Sequence, residues 1–291
     1  MHNELQRLID VLALDRSLDV PRNLRQRIEA LERLESHLIL AADACAQSSP
    51  LVERAEAMSA RLEAINAELY GTIRDRIRQG GGRTALSEWS DAGSRKADPL
   101  AQATGESYDY LDALISGVLG LDEPGEATAA LPAEMVFYQP TPARHIFALI
   151  ERIALTERDV FVDLGAGLGH VPLVAAVCTD ARCIGIELQP EYVDCASRCA
   201  RSLNLSNATF IRQDAQLADL GVGSVFYLYT PFTGTVLRTV LDSLQRTARS
   251  RPIRIVTFGP CTQIVAQETW LRTADTLQRD RIAIFRSSDA G

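Results

Sequence analysis

Apolar residues recur at intervals of three and four through the first eighty positions. Leu24, Ile28, Leu31, Leu34 and Leu38 form one stripe; Met58, Leu62, Ile65 and Leu69 form another that Ile73 and Ile77 continue. A 3.6-residue period puts each set on one face of a helix. Glu, Arg, Gln and Ala fill the other faces, and all are good helix formers. Pro21 and the Ser48–Pro50 stretch punctuate the region into about three helices, and Gly80, Gly81 and Gly82 end the last. The expected result is a helical bundle. A homodimer through these helices and a lid over a substrate are alternatives that the pattern leaves open.

Patterning weakens from residue 83 to about residue 130. A short helix is expected from Tyr108 to Leu119, then a linker rich in Gly, Pro, Glu and Ala from Gly120 to Pro132. From Pro140 the texture changes to short β-rich runs alternating with helical stretches. Strands are expected at Val160–Leu164, Cys183–Glu187, Thr209–Arg212, Ser224–Tyr229, Ile253–Phe258 and Arg281–Arg286. Helices are expected at Ala143–Ile153, His170–Cys178, Glu191–Leu203 and Gly234–Ala248. Such alternation implies right-handed βαβ units, a mainly parallel sheet with helices on both faces, and ligands beyond the carboxyl ends of the strands. The fold class is therefore α/β with an N-terminal all-α domain. The division expected is residues 1–130 for the helical domain and linker, and 131–291 for the sheet domain.

Composition narrows the function. Hydrophobic residues make up 46% of the 291 and charged residues 23%, as in an ordinary soluble globular protein. The formal net charge of −8 argues against broad electrostatic attraction to nucleic acid or an anionic membrane. Met1–Asp10 lacks the basic and apolar regions of a signal peptide, and uncharged apolar runs fall far short of the ~18 residues of a membrane span. The six cysteines (Cys45, Cys178, Cys183, Cys195, Cys199 and Cys261) form no Cys-x-x-Cys pair and have no neighbouring His to complete a zinc set. Reduced, mostly buried thiols in a cytoplasmic protein are expected, with no metal.

The strongest chemical signal is Asp163-Leu164-Gly165-Ala166-Gly167-Leu168-Gly169. It joins a strand to a helix whose first turn holds Pro172, where a missing N–H costs nothing. Glycines allow a tight turn and close approach to a ligand, and the helix N-terminus welcomes a carboxylate or phosphate. A dinucleotide fingerprint would need G-x-G-x-x-G; counting from Gly165 the third position is His170, and from Gly167 it is Pro172. That failure argues against a nicotinamide-dependent oxidoreductase.

The D-x-G-x-G-x-G spacing resembles motif I of the class I, Rossmann-like S-adenosylmethionine-dependent methyltransferases. The resemblance implies S-adenosylmethionine as cofactor, bound by Asp163, Gly165, Ala166, Gly167 and Gly169. It implies that Glu187, ending the second strand beside Leu188, accepts from the ribose hydroxyls, and that Asp214, beside Ala215, meets the adenine amino group. Tyr229-Thr230-Pro231-Phe232 stands where the family faces the transferred methyl. It resembles the [Asp/Asn/Ser]-Pro-Pro-[Tyr/Phe] motif of amino-group methyltransferases but lacks the leading Asn or Asp and one proline, which counts against an adenine-type amine; a plain strand-to-helix turn also accounts for it. Upstream, Phe137-Tyr138-Gln139-Pro140-Thr141-Pro142 resembles the Tyr-x-x-Thr segments of some non-SET protein lysine methyltransferases and small bacterial relatives, which implies that Tyr138 and Thr141 border the cofactor. Thr141 also fits as a helix N-cap with Pro142 at the next position.

Methyl transfer from a sulfonium is an in-line displacement, so the chain must chiefly position and polarise. Tyr229, Thr230, Tyr138 and His170 are the candidate catalytic residues, with His145 a further candidate base. The reading is a methyltransferase acting on an N or O nucleophile of a small molecule or protein, nucleic acid being the weaker acceptor class. The alternatives are the oxidoreductase and a non-catalytic helical dimer or binding module retaining the fold. The intact Asp163, Glu187 and Asp214 set argues against the last.

Overall fold

The computed structural model describes residues 2–43, 50–94, 105–121, 134 and 138–288. Cys45, Ser48, Ser49 and Phe137, and the expected linker from residue 122 to 132, lie outside the described residues. The chain divides into two compact units, Met1–Arg74 with Asp109–Val118, and Asp75–Tyr108 with Leu119–Gly291.

The first unit is helical. It contains α1 (His2–Leu14), α2 (Leu24–Asp43), the first part of α3 (Pro50–Arg78) and nearly all of α5 (Tyr110–Leu119), which follows α4 (Gly82–Ser94) in the chain. The expected stripes turn inward: Leu34, Met58 and Leu62 pack with Leu5, Leu8, Leu12 and Leu18. Each such side chain removed from water contributes roughly 1.5–3 kcal/mol. Within this core Arg27 is fully buried; Asp19 is near enough to act on its charge, but no carboxylate among the described residues pairs with it. Its guanidinium instead donates to Asn66 Oδ1 at 2.6 Å and to the carbonyls of Leu18, Val20 and Pro21 at 3.0, 2.6 and 2.9 Å.

The second unit is built on a seven-stranded sheet in the order β3-β2-β1-β4-β5-β7-β6. The strands are β1 (Val160–Leu164), β2 (Arg182–Glu187), β3 (Ala208–Arg212), β4 (Val225–Tyr229), β5 (Arg254–Phe258), β6 (Leu271–Arg272) and β7 (Ala283–Ser287). The first five run parallel, while β7 pairs antiparallel with both β5 and β6. Helices α6 (Ala143–Ile153), α7 (His170–Cys178), α8 (Pro190–Ser202) and α9 (Gly234–Ala248) connect the parallel strands or precede them, and α10 (Cys261–Val265) follows β5. On one face Val162, Ile184, Phe226 and Ile255 pack with Leu237, Val240, Leu241 and Leu244 of α9. The i, i+3, i+4, i+7 spacing of those α9 residues places them on one apolar face of the helix.

Three elements escaped the sequence reading. Helix α4 occupies a stretch expected to be irregular, with Ala85, Leu86 and Trp89 buried. It lies close to α7, where a side chain on Gly82 would come within 2.7 Å of Val177. The two-residue β6 and the five-residue α10 are too short to leave a period. No helix among the described residues is long and apolar enough to cross a membrane.

Because the chain runs outward from β1 through β2 to β3 and then returns to β4 and β5, the order reverses between β1 and β4. That reversal opens a crevice at the carboxyl ends of these strands.

Candidate cofactor and acceptor site

Asp163 lies near the end of β1, level with Gly185 of β2 and Tyr227 of β4 across the ladders. It is 3% exposed, and no described residue donates a hydrogen bond to its carboxylate. Burial, and then the neighbouring Glu187 charge, raise it well above the usual carboxylate range.

The chain then turns through Gly165, Gly167 and Gly169, with φ of 81°, 54° and 83°. Only glycine adopts these angles cheaply. Space forbids side chains here as well. A Cβ on Gly165 would fall 2.3 Å from Cβ of Pro231, and one on Gly167 would fall 1.9 Å from Cε2 of Tyr138. Gly169 then starts α7, presenting that helix's free N–H groups to the crevice.

Glu187 ends β2 and binds the glycine turn from the other side. Its Oε2 accepts the Gly167 N–H at 2.8 Å, and its Oε1 accepts those of Leu188 and Gln189 at 2.7 and 2.9 Å. The carboxylate therefore shapes the turn in addition to any role toward a ribose. Asp214 lies two residues beyond β3 and accepts the Gln216 N–H at 2.9 Å, so it closes a local turn at the rim.

Tyr138 covers Gly167. Its hydroxyl lies 2.9 Å from Nδ1 of His170 and also receives the Leu168 N–H. Burial raises the phenol and lowers His170 to about 4, so both rings are neutral at ordinary pH. Thr141 is not the N-cap of α6. Pro142 takes that place, and the threonine hydroxyl instead meets Tyr227 Oη at 2.8 Å in a buried pair. His145 also faces inward: Nε2 lies 2.7 Å from the Gly105 carbonyl, and the ring packs on Phe258 at a centroid distance of 4.4 Å.

The segment expected to face the acceptor follows β4. Tyr229 is half-buried, its ring 4.7 Å from that of Phe258. Burial, aided by Tyr108 and the Glu106 charge, pushes its phenol up to about 12, so it is neutral at ordinary pH. Thr230 has φ of 41°, a strained conformation for a β-branched residue. Its hydroxyl donates to the Phe258 carbonyl at 3.3 Å and accepts the Cys261 N–H at 3.0 Å, so both functions of the hydroxyl are engaged within the protein. Gly105–Tyr108 borders the same side. Sequence reasoning overlooked this segment, which has no motif. Tyr108 donates to the Pro140 carbonyl at 2.9 Å, and Arg144 donates to Ser107 at 3.1 Å.

These residues suit S-adenosylmethionine. The donor-free Asp163 beside Glu187 suits a ligand bringing positive charge and N–H or O–H donors. S-Adenosylmethionine brings both, in its ammonium, its sulfonium and its ribose hydroxyls. The glycine turn and the N-terminus of α7 suit its carboxylate. Bound there, the cofactor would supply the activated methyl group.

Residues 135–217 match the sequence model of the family described as histone methylation protein DOT1. No curated protein matches the chain. Several solved structures are similar to it. An RNA methyltransferase from Salinibacter ruber, in complex with S-adenosyl-L-homocysteine, is 24% identical over 51% of this chain and 92% of its own, with a TM-score of 0.40. Precorrin-6y C5,15-methyltransferase from Geobacter metallireducens GS-15 is 16% identical over 53% and 92%, with a TM-score of 0.40. A SAM-dependent methyltransferase from Aquifex aeolicus is 14% identical over 48% and 88%, with a TM-score of 0.39. With motif I in its expected strand-to-helix setting and the family match spanning it, the second unit is a Rossmann-like S-adenosylmethionine-dependent methyltransferase domain.

Proposed function

We propose that this methyltransferase acts on an amino group presented by a protein. In this reading Asp163, Gly165, Ala166, Gly167, Gly169, Glu187 with Leu188, and Asp214 with Ala215 hold the cofactor, and Tyr138 and Thr141 border it. Tyr229 faces the acceptor as a neutral donor, while Thr230 fixes the turn that carries it. The neutral Tyr138–His170 pair holds the glycine turn closed over the cofactor, and His170 is too weak a base to deprotonate an ammonium.

The observation that carries the amine reading is the Glu106 carboxylate on the segment bordering Tyr229, which attracts a protonated amine; the amine gives its proton to water and attacks the methyl group as the free base. The histone methylation family match over residues 135–217 supports a protein as its bearer.

The test is transfer of tritiated methyl from S-adenosylmethionine to a lysine-rich histone mixture, and separately to small primary amines. Asp163→Asn is the inactive control. Lys96 is the only lysine of the chain, so Lys96→Arg removes lysine automethylation from the count. Label on histone amines supports the proposal. Label only on small amines, or only on hydroxyl acceptors in a parallel screen, overturns it in favour of a small-molecule or O-methyltransferase.

A further inference from the structure

The stretch from Tyr138 to Pro142 crosses the glycine turn without regular secondary structure. Pro140 and Pro142 have no N–H, so no strand-like ladder can hold it. Three side-chain ties do so instead: Tyr138 to His170, Tyr108 to the Pro140 carbonyl, and Thr141 to Tyr227. The third starts from inside the sheet. Tyr227 is the middle residue of β4, 1% exposed, level with Asp163 in the β1–β4 ladder. Its ring stacks on Phe161 at 6.4 Å, with 27° between planes. Thr141 is 6% exposed, so its hydroxyl has little access to water.

We propose that Tyr227 is a positioning residue for cofactor binding: from inside the sheet its phenol holds the Thr141 hydroxyl and so fixes the Tyr138–Pro142 segment over the glycine turn. This rests on the reading above that Tyr138 and Thr141 border the cofactor. Tyr227 itself does not touch the ligand. Its strand continues two residues later into Tyr229, so one rigid element sets both the cofactor side and the acceptor side of the site. Burial holds the phenol well above its usual titration range, so it remains a neutral partner at every working pH.

The test is calorimetric titration of the full chain with S-adenosylhomocysteine, for the unaltered protein, Tyr227→Phe, Thr141→Val, the double variant and Phe161→Leu. Each variant's thermal midpoint is recorded alongside. A single net hydrogen bond corresponds to a roughly 2- to 10-fold change in affinity. Tyr227→Phe and Thr141→Val should each weaken binding by about that factor, and the double variant should be no weaker than the worse single one, because both remove the same tie. Phe161→Leu disturbs packing under the ring and should lower the midpoint while leaving the affinity unchanged.

If Tyr227→Phe binds as tightly as the unaltered chain and only its midpoint falls, the tyrosine is merely structural and the inference fails. It also fails if the two single losses multiply in the double variant, or if Phe161→Leu weakens binding as much as Tyr227→Phe. Should the unaltered chain give no heat with S-adenosylhomocysteine, the cofactor reading falls and takes this inference with it, an outcome distinct from a change confined to the variants.

Discussion

The ring of Tyr138 occupies the space that a side chain on Gly167 would need, its Cε2 lying 1.9 Å from where that Cβ would fall. The glycine therefore answers two demands at once, a left-handed backbone and room for a neighbour. Gly167→Ala should destabilise the second unit by more than about 2 kcal/mol. Adding Tyr138→Ala should return part of that loss, leaving the backbone strain of about 1 kcal/mol and the tyrosine's own lost packing. Urea unfolding read by tryptophan fluorescence is suited to this, because Trp89 and Trp270, the only two, both lie in the second unit. Strictly additive losses would mean that the predicted clash is relieved some other way.

Asp163 should show opposed effects on stability and binding. Without ligand its charge is buried beside Glu187, so Asp163→Asn should stabilise the unit by about 1–3 kcal/mol at pH 8. A carboxyl raised by folding favours the folded state while protonated, and this advantage fades as pH rises through the raised value. The gap between variant and parent should therefore widen from pH 5 to pH 8. S-Adenosylmethionine affinity should meanwhile fall at least about tenfold. A variant that is both less stable and fully able to bind would contradict this account.

His170 makes the opposite pH signature. It is held neutral in the folded protein down to about pH 4, whereas an unfolded histidine takes up its proton near 6.5. Its contribution is complete above 6.5 and is lost as the pH falls toward 4, amounting to about 3 kcal/mol. His170→Gln should flatten that part of the stability profile relative to the parent chain. Parallel profiles for the two proteins between pH 6.5 and 4 would show that another group titrates there.

Arg27 belongs to the other unit and gives a test of independence. Arg27→Leu removes the donor to Asn66 Oδ1 and to the carbonyls of Leu18, Val20 and Pro21, of which the Asn66 and Leu18 contacts are fully buried, for a cost of about 2–4 kcal/mol. Helical circular dichroism should then show an earlier transition that tryptophan fluorescence does not share. Coincident curves would mean that the two units unfold together.

The sequence was most legible where periods are long or a motif is tied to an element. The span of α9 and the bounds of β1 follow from apolar spacing and a following glycine turn. The positions of the candidate carboxylates were legible because each stands at or just beyond a strand end. What each carboxylate touches was not. Glu187 spends both oxygens on backbone N–H groups, a consequence of how the turn folds back over β2, which no spacing encodes. Thr141 read equally well as a cap, because its real partner lies 86 residues away on β4. Helix α4 was missed since its glycines and serines interrupt the apolar period of Ala85, Leu86 and Trp89, which are buried.

The left-handed backbone at Thr230 bears on any attempt to evolve this chain for heat resistance. Glycine or asparagine would sit there with less strain, by roughly 1 kcal/mol or more, so a screen on melting temperature alone would favour them. Glycine has no side chain with which to join the Phe258 carbonyl to the Cys261 N–H, and the longer asparagine amide would have to find new geometry to do so. The selected proteins would gain robustness by loosening the turn that carries Tyr229. Position 230 is thus where selection for endurance and selection for turnover would pull in opposite directions.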